Sequence, residues 1–363
     1  MSGGGVVLVD HEVLRRYEIA ILERWGVPSD QAAVVADNLV EADLRGVESH
    51  GAHLVELYVA RLKSGHLRPR TEVTTVRDDG ATVMLDGGVG FGQVAGVAAM
   101  ELAVARAKTH GVAAVTVREG THLGALAYYT LPAAEAGCFA MAVQNGPTIV
   151  PPFGGRTGIF STNPFSWAAP AGKELPVVYD IATTAVAGNK ILLAKKRGDP
   201  TIPEGWANDE MGRPTTDTAS ASAQNLCWFG GYKGFGIALM VEVLSGIVAG
   251  SSFGHTEQTD SELVGKRRLA KGWMFLTLDL ERFCGVDRFR EQMDQLIRDV
   301  HATERAEGVE RIYVPGEIEH ETRAERLAGG IPLSVELADE LSALGGDVGL
   351  APLGTPSTDA GVP

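Results

Sequence analysis

The chain has 363 residues, long enough for two domains or for one large domain with an appendage. Hydrophobic residues make up 45% and charged residues 21%, as in soluble globular proteins, and a net charge of −14 speaks against sequence-independent nucleic-acid binding. Cys138, Cys227 and Cys284 form no Cys-x-x-Cys pair, which excludes a disulfide framework and a cysteine zinc site and suits a reducing compartment. Met1 to Gly5 lacks the basic region and apolar core of a signal peptide. No run of about 18 apolar residues predicts a membrane span. The expectation is a cytoplasmic α/β protein of enzyme size.

Residues 9–45 read as two helices. Asp10 can cap the first, with Leu14, Tyr17, Ile21, Leu22 and Trp25 on one stripe, and Ser29 starts the second. Arg45-Gly46-Val47-Glu48-Ser49-His50-Gly51 interrupts before Leu54 to Leu62 resumes helical spacing. His50 at this break is either a structural hydrogen-bonder or an acid/base. The neighbouring Ser49 could orient its ring, and imidazole titrates near neutral pH.

Val73 to Leu85 alternates as one strand, and Ala81 to Leu85 leads into Asp86-Gly87-Gly88-Val89-Gly90-Phe91-Gly92-Gln93. A helix over Val94 to His110 and a strand over Gly111 to Val117 follow, giving a βαβ pattern with glycines at its first turn. That is the grammar of a dinucleotide fingerprint. The spacing is imperfect, because Gly90-x-Gly92 is followed by Gly96, one residue late.

Gly120-Thr121-His122-Leu123-Gly124-Ala125-Leu126 places a second histidine at a strand-to-helix corner, with a helix through Ala136. Phe139 to Val143 is a short strand ending at Gln144-Asn145-Gly146-Pro147. Ser161-Thr162-Asn163-Pro164 precedes a strand over Phe165 to Ala169, and Val177 to Thr184 forms another through Asp180-Ile181-Ala182. Lys190 to Arg197 is basic and helical, and Gly198 to Ala219 is rich in loops.

Gly230-Gly231-Tyr232-Lys233-Gly234-Phe235-Gly236 then runs into an apolar helix from Ile237 to Leu244. Glycines let a backbone approach a ligand, and a lysine at a helix start suits an anion. The same residues also fit an ordinary turn, and the Walker spacing is absent. Ser251 to Lys271 reads as an exposed loop, Trp273 to Leu280 as a strand and Val286 to His301 as an amphipathic helix. Pro315-Gly316-Glu317-Ile318-Glu319 is a turn with an acid, before closing helices over Glu321 to Gly329 and Ser334 to Leu344. From Gly345 the composition is that of a flexible tail.

Six of these segments occur in the order and approximate spacing of one family. They are Arg45 to Gly51, Thr121-His122-x-Gly124-Ala125, Thr162-Asn163-Pro164, Asp180-Ile181-Ala182-Thr183, Gly230 to Gly234 and Pro315-Gly316-Glu317. Over about residues 10–345 the chain resembles the type-2 malate/L-lactate dehydrogenases, whose relatives include ureidoglycolate, sulfolactate and diketogulonate dehydrogenases and piperideine/pyrroline-2-carboxylate reductases.

The resemblance implies an α/β chain of the α+β type. Its NAD- or NADP-binding domain is not of Rossmann type and carries a largely antiparallel sheet, beside a helical domain built from both chain ends. It implies a helical part over 1–75 with Ser49 and His50, and a cofactor and substrate domain over 76–284. A second helical part over 285–345 would pack on the first, with a tail over 346–363, and the enzyme would be a homodimer. The Gly87 to Gln93 loop is then not the pyrophosphate cradle. The cofactor would be held by His122, Leu123, Gly124, Ala125, Asn145, Gly146, Thr162, Asn163, Asp180, Ile181, Ala182, Lys233, Gly316, Glu317 and Ile318, with no metal.

The implied reaction interconverts a 2-hydroxy acid and a 2-oxo acid by hydride transfer, with His50 and Ser49 exchanging the proton and His122 between substrate and nicotinamide; the two histidines could exchange roles. Two positions depart from the family pattern. Leu54 stands where many members have an arginine for the substrate carboxylate, so another cation takes it or the substrate differs. Lys190 stands where imine-reducing relatives can carry an aspartate, which favours a hydroxy acid over a cyclic imine. A cyclic-imine reductase and a non-catalytic metabolite-binding relative are the alternatives.

Overall fold

The computed structural model describes residues 5–255 and 271–353, in two compact units. Most of the expected loop over Ser251 to Lys271, most of the expected tail and the first residues of the chain lie outside this range.

The larger unit spans Glu72–Ala302. Its strands are β2 (Thr74–Asp78), β3 (Thr82–Asp86), β4 (Val112–Gly120), β5 (Cys138–Gln144), β6 (Phe165–Ala169), β7 (Val177–Ile181) and β10 (Lys271–Asp279). They form one seven-stranded sheet in the order β2-β3-β4-β10-β5-β6-β7. Every pairing is antiparallel except β3–β4, which α4 (Gly92–His110) connects. The βαβ reading therefore holds locally, inside a mixed and mostly antiparallel sheet.

The single strand expected over Val73 to Leu85 is instead a hairpin. Asp79 N–H bonds to Thr82 O at 2.9 Å, and Gly80 takes φ +78°, which glycine adopts without a Cβ clash.

The core of this unit packs Val115 and Val117 of β4, Trp273 and Phe275 of β10, and Ala140 and Ala142 of β5 against small residues of α4 (Ala95, Ala99, Ala103). Tyr129, on α5 (Ala127–Glu135), completes it. The small residues bring the helix close. A Cβ on Gly96 would come within 2.7 Å of Leu123 and Tyr129 side-chain atoms.

α6 (Gly188–Arg197), the short pair β8 (Ala207–Asn208) and β9 (Pro214–Thr215), and α7 (Tyr232–Glu242) follow. The two short strands fall inside the stretch expected to be loop. α7 begins at Tyr232, earlier than the expected Ile237, so Lys233 occupies its first turn. Gly231, at φ +67°, is the N-cap, and a π-helical turn over Val243–Val248 continues the helix. α8 (Val286–Ala302) belongs to this unit. Its buried Asp294 accepts the backbone N–H groups of Gly172, Lys173 and Glu174 at 2.8, 2.8 and 3.1 Å, anchoring the β6–β7 turn.

The other unit contains residues 5–71 and 303–353 among those described. Asp10 caps α1 (His11–Arg24) by accepting from Glu12 N–H and Val13 N–H, as its sequence predicts. α2 (Ser29–Leu44) and α3 (Leu54–Lys63) follow. α9 (Glu317–Gly329) starts at the turn residue Glu317, ahead of the expected Glu321, and α10 (Val335–Gly346) closes the unit. Composition gave no warning of β1 (Val6–Val9) and β11 (Ile331–Ser334). They pair antiparallel, from Val6 opposite Ser334 to Val9 opposite Ile331.

Among the described residues, no helix is long and apolar enough to cross a membrane, and no three His, Cys, Asp or Glu side chains are grouped to hold a metal ion.

Candidate active site

One end of the seven-stranded sheet gathers the site residues expected in the larger unit. Across that end the register runs Gly120 opposite Lys271, Trp273 opposite Gln144, Val143 opposite Phe165, and Phe165 opposite Ile181. The loops leaving this end carry His122 to Ala125, Asn145-Gly146, Thr162-Asn163 and Ala182.

Hydrogen bonds fix these loops to one another. Leu123 N–H donates to Gln144 Oε1 at 3.2 Å, and the Tyr129 hydroxyl donates to Leu123 O. The Asp180 carboxylate accepts Ala127 N–H at 2.7 Å and so caps the helix that follows the His122 loop. Thr183 Oγ1 donates to Thr162 O at 2.7 Å, and Phe229 N–H bonds to Thr183 O at 3.1 Å. That last bond places the Gly230-Gly231 turn, and thus the exposed Lys233, just after a strand segment of this cluster. A Cβ on Gly146 would overlap Ser161, so the backbone there is close-packed.

The N–H groups of the glycine turn before α4 are engaged within the chain. Gly87 N–H bonds to Arg118 O, Gly88 N–H to Asp86 Oδ1, Val89 N–H to Glu119 O, Gly90 N–H to Gly87 O and Gly92 N–H to Thr121 Oγ1, all between 2.9 and 3.1 Å. A Cβ on Gly92 would overlap the carbonyl oxygen of His122. Five N–H groups at this helix start are therefore already bonded to backbone and side-chain oxygens of the chain itself. Gly92→Ala is expected to displace the His122 loop, lowering stability by about 1–3 kcal/mol and turnover by about tenfold. Thermal melts and initial rates check this, and unchanged values for both would show that the loop yields freely.

The remaining candidates lie in the other unit. A single 3₁₀ turn, Glu48–His50, carries Ser49 and His50. Ser49 Oγ lies 2.9 Å from His50 Nδ1. In the tautomer whose Nδ1–H donates to Ser49, the lone pair resides on Nε2, the arrangement a base needs. Burial, reinforced by His53, lowers His50 to about 4. The neutral imidazole is thus the form present at pH 7.

Beneath the turn lies Asp43, whose carboxylate accepts Ala52 N–H at 2.7 Å and fills the space where a Cβ on Gly51 would sit. Burial pushes Asp43 up to about 7, opposed by the Ala52 hydrogen bond. From α9, Arg326 donates to Asp43 O and to Glu48 Oε1, each at 2.6 Å, while Arg323 Nε contacts both Glu41 oxygens at 2.8 and 3.0 Å. The same helix starts at Gly316, at φ +100°, and Glu317. The Glu317 carboxylate accepts Val314 N–H at 3.0 Å, and Ile318 is exposed. Leu54 is buried in the first turn of α3, a core position. Lys190 is exposed, with its ammonium 6.0 Å from the centre of the Trp206 ring.

The model of the malate/L-lactate dehydrogenase family matches residues 9–342. The chain belongs to that family. Membership places it among the oxidoreductases that act on 2-hydroxy acids. It is 35% identical to the malate dehydrogenase of Pyrococcus horikoshii over 356 residues, 95% of this chain and 96% of that one. The structure of sulfolactate dehydrogenase from Methanocaldococcus jannaschii is similar with a TM-score of 0.87 and 35% identity, covering 95% of this chain and 98% of that chain. The delta1-piperideine-2-carboxylate reductase of Pseudomonas syringae gives a TM-score of 0.81 at 29% identity, covering 93% and 99%.

Reading motifs alone missed Asp43, Arg326 and Glu242, the last a buried acid on α7. Asp43 and Glu242 were visible as carboxylates inside otherwise apolar helix faces; Arg326 gave no signal of its own.

Proposed function

We propose that this chain is an NAD- or NADP-dependent dehydrogenase that interconverts a malate- or lactate-like 2-hydroxy acid with its 2-oxo acid. The observation that carries the reading is the Ser49–His50 pair, with His50 held neutral at pH 7, in a member of this family. When bound, the nicotinamide supplies or accepts the hydride. His50 takes the hydroxyl proton in oxidation and returns it in reduction, and Ser49 orients the ring through Nδ1. His122 and its loop, Gly146, Thr162, the Asp180–Ala182 segment, Lys233 and the Gly316–Ile318 turn would hold the dinucleotide.

The internally bonded turn before α4 supports a cofactor domain that is not of Rossmann type, on the sheet unit, with the helical part formed by both chain ends. A homodimer is supported by α7 and its π-helical continuation, which expose Leu239, Met240, Val243, Ile247 and Val248. The cysteine pattern supports a cytoplasmic setting.

The likeness to a piperideine-carboxylate reductase favours a second reading, NADPH-dependent reduction of a cyclic imino acid. Lys190 at the position of the imine-branch aspartate supports the first. Oxidation of NADH and NADPH against a panel of 2-oxo acids and cyclic imines separates them. Turnover with a 2-oxo acid is expected, and turnover with imines alone would move the enzyme to the reductase branch. Dinucleotide binding without any turnover would leave a metabolite-binding relative, and no binding at all would sink the proposal.

A further inference from the structure

We infer that Glu242 is the positioning residue that sets the dinucleotide-binding loops in register, an inference that rests on the proposed cofactor site. Glu242 is the one ionisable side chain between Ile237 and Val248, and it is buried at the end of α7. Its Oε2 accepts Asn163 Nδ2–H at 2.8 Å. Its Oε1 accepts Gly254 N–H at 3.0 Å and Asn145 Nδ2–H at 3.3 Å. The same Asn163 amide donates to Ala238 O at 2.9 Å, and its Oδ1 accepts Ser161 N–H at 3.2 Å. Asn145 donates to Ser252 O at 2.8 Å and accepts Gly272 N–H at 3.1 Å. Lys271 is close enough for Glu242 to raise its proton affinity, against the larger effect of burial.

Both asparagine side chains thus spend their donors and acceptors inside the protein. What their segments offer a ligand is backbone and neighbours, namely Gly146 and Thr162. Asn163 sits at φ +38°, a left-handed conformation that asparagine tolerates and that these hydrogen bonds hold in place. Three donors from three segments converge on two oxygens. A carboxylate presents both oxygens as acceptors, whereas a glutamine presents one and would point an N–H at a donor. A buried acid in an apolar helix is unfavourable unless such donors meet it. Shape alone could be supplied by an apolar residue, but the position of the Asn145 and Asn163 backbones could not.

The test is dinucleotide affinity, measured by fluorescence titration of the full-length protein with NADH and with NADPH. Glu242→Gln is expected to raise Kd about tenfold while kcat at saturating cofactor, and KM for the oxo acid, stay within about threefold. Asp294→Asn is the control, because it weakens another buried acid that also meets three donors, here all backbone, at the opposite end of β6 and β7. It is expected to lower the melting temperature without changing Kd. Wild-type affinity in a folded Glu242→Gln protein overturns the inference and leaves the proposed function standing, and so does an equal loss of affinity in Asp294→Asn. If neither dinucleotide binds the wild-type protein, the functional reading falls and takes the inference with it. Should Glu242→Gln fail to fold, Glu242→Asp decides, since it keeps the charge but shortens the reach by one methylene; unaltered affinity there also overturns the inference.

Discussion

Replacing His50 with alanine is expected to lower kcat by about 10²–10⁴-fold while the Kd for NADH or NADPH changes less than about threefold. The imidazole has one task in the proposed reaction, to exchange a proton with the substrate oxygen, and its two nearest polar groups are poorly suited to take it over. Ser49 has a hydroxyl but no proton affinity near neutrality, and Asp43 is turned inward onto Ala52 N–H. With His50 held near 4, the neutral base persists well below its ordinary value of 6.5. In the direction of hydroxy-acid oxidation, the rate is therefore expected to hold as pH drops through 6.5 and to decline only towards 4. Stopped-flow or steady-state rates across that range check it, and a decline centred on 6.5 would show an exposed, ordinary histidine. Equal loss of cofactor binding and turnover in His50→Ala would reassign the residue to the cofactor.

The second large effect is thermodynamic. His50 has a folded-state proton affinity below its ordinary value, so between pH 6.5 and about 4 the unfolded chain binds more protons. Stability is lost as pH falls through that window, by up to about 3 kcal/mol. Asp43 is the reverse case. Its folded value of about 7 lies above its ordinary 3.8, so the folded chain binds more protons between them, and stability is lost as pH rises, by up to about 4 kcal/mol. His50 on the turn and Asp43 beneath it thus impose opposite slopes over nearly the same range. Asp43→Asn removes the second slope, leaves that of His50 and keeps an oxygen for Ala52 N–H. Relative to wild type, the variant is expected to gain about 4 kcal/mol of stability between pH 4 and pH 7.5. Urea unfolding at the two pH values measures this, and a pH-independent difference would mean that the Asp43 carboxyl ionises normally. Glu18, buried on α1 and raised mainly by burial and then by Asp43, loses the Asp43 contribution in the variant, a change that acts in the same direction as the expected gain.

Periodicity made the helices legible, because each buries one stripe. The cap at Asp10 and the start of α2 at Ser29 followed from side-chain chemistry. The seven sheet strands were legible as runs, except that Gly80 divides one of them, but their order was not. Nothing local distinguishes β10 as the partner of both β4 and β5, because that pairing depends on residues more than a hundred positions apart. β1 and β11 were missed for the same reason, each being a run of four residues whose only partner is at the other end of the chain. At the site, the histidines and glycines stood out because their types are rare in helix interiors. The supporting acids did not, because one carboxylate in an apolar helix looks like noise until its donors are located. The βαβ turn offers another physical reason for its glycines: Gly92 packs against the backbone of His122, where a Cβ would not fit.

The pairing of β1 with β11 also dictates an order of events during synthesis. Val6 cannot find Ser334 until the chain through Ser334 has left the ribosome, whereas every strand of the seven-stranded sheet is complete by Asp279. The sheet unit can therefore settle while the first helices wait for their partners. The Ser49–His50 turn, held by Arg326, is among the last parts of the protein to be fixed. A chain released early would carry a finished sheet and an unfixed Ser49–His50 turn.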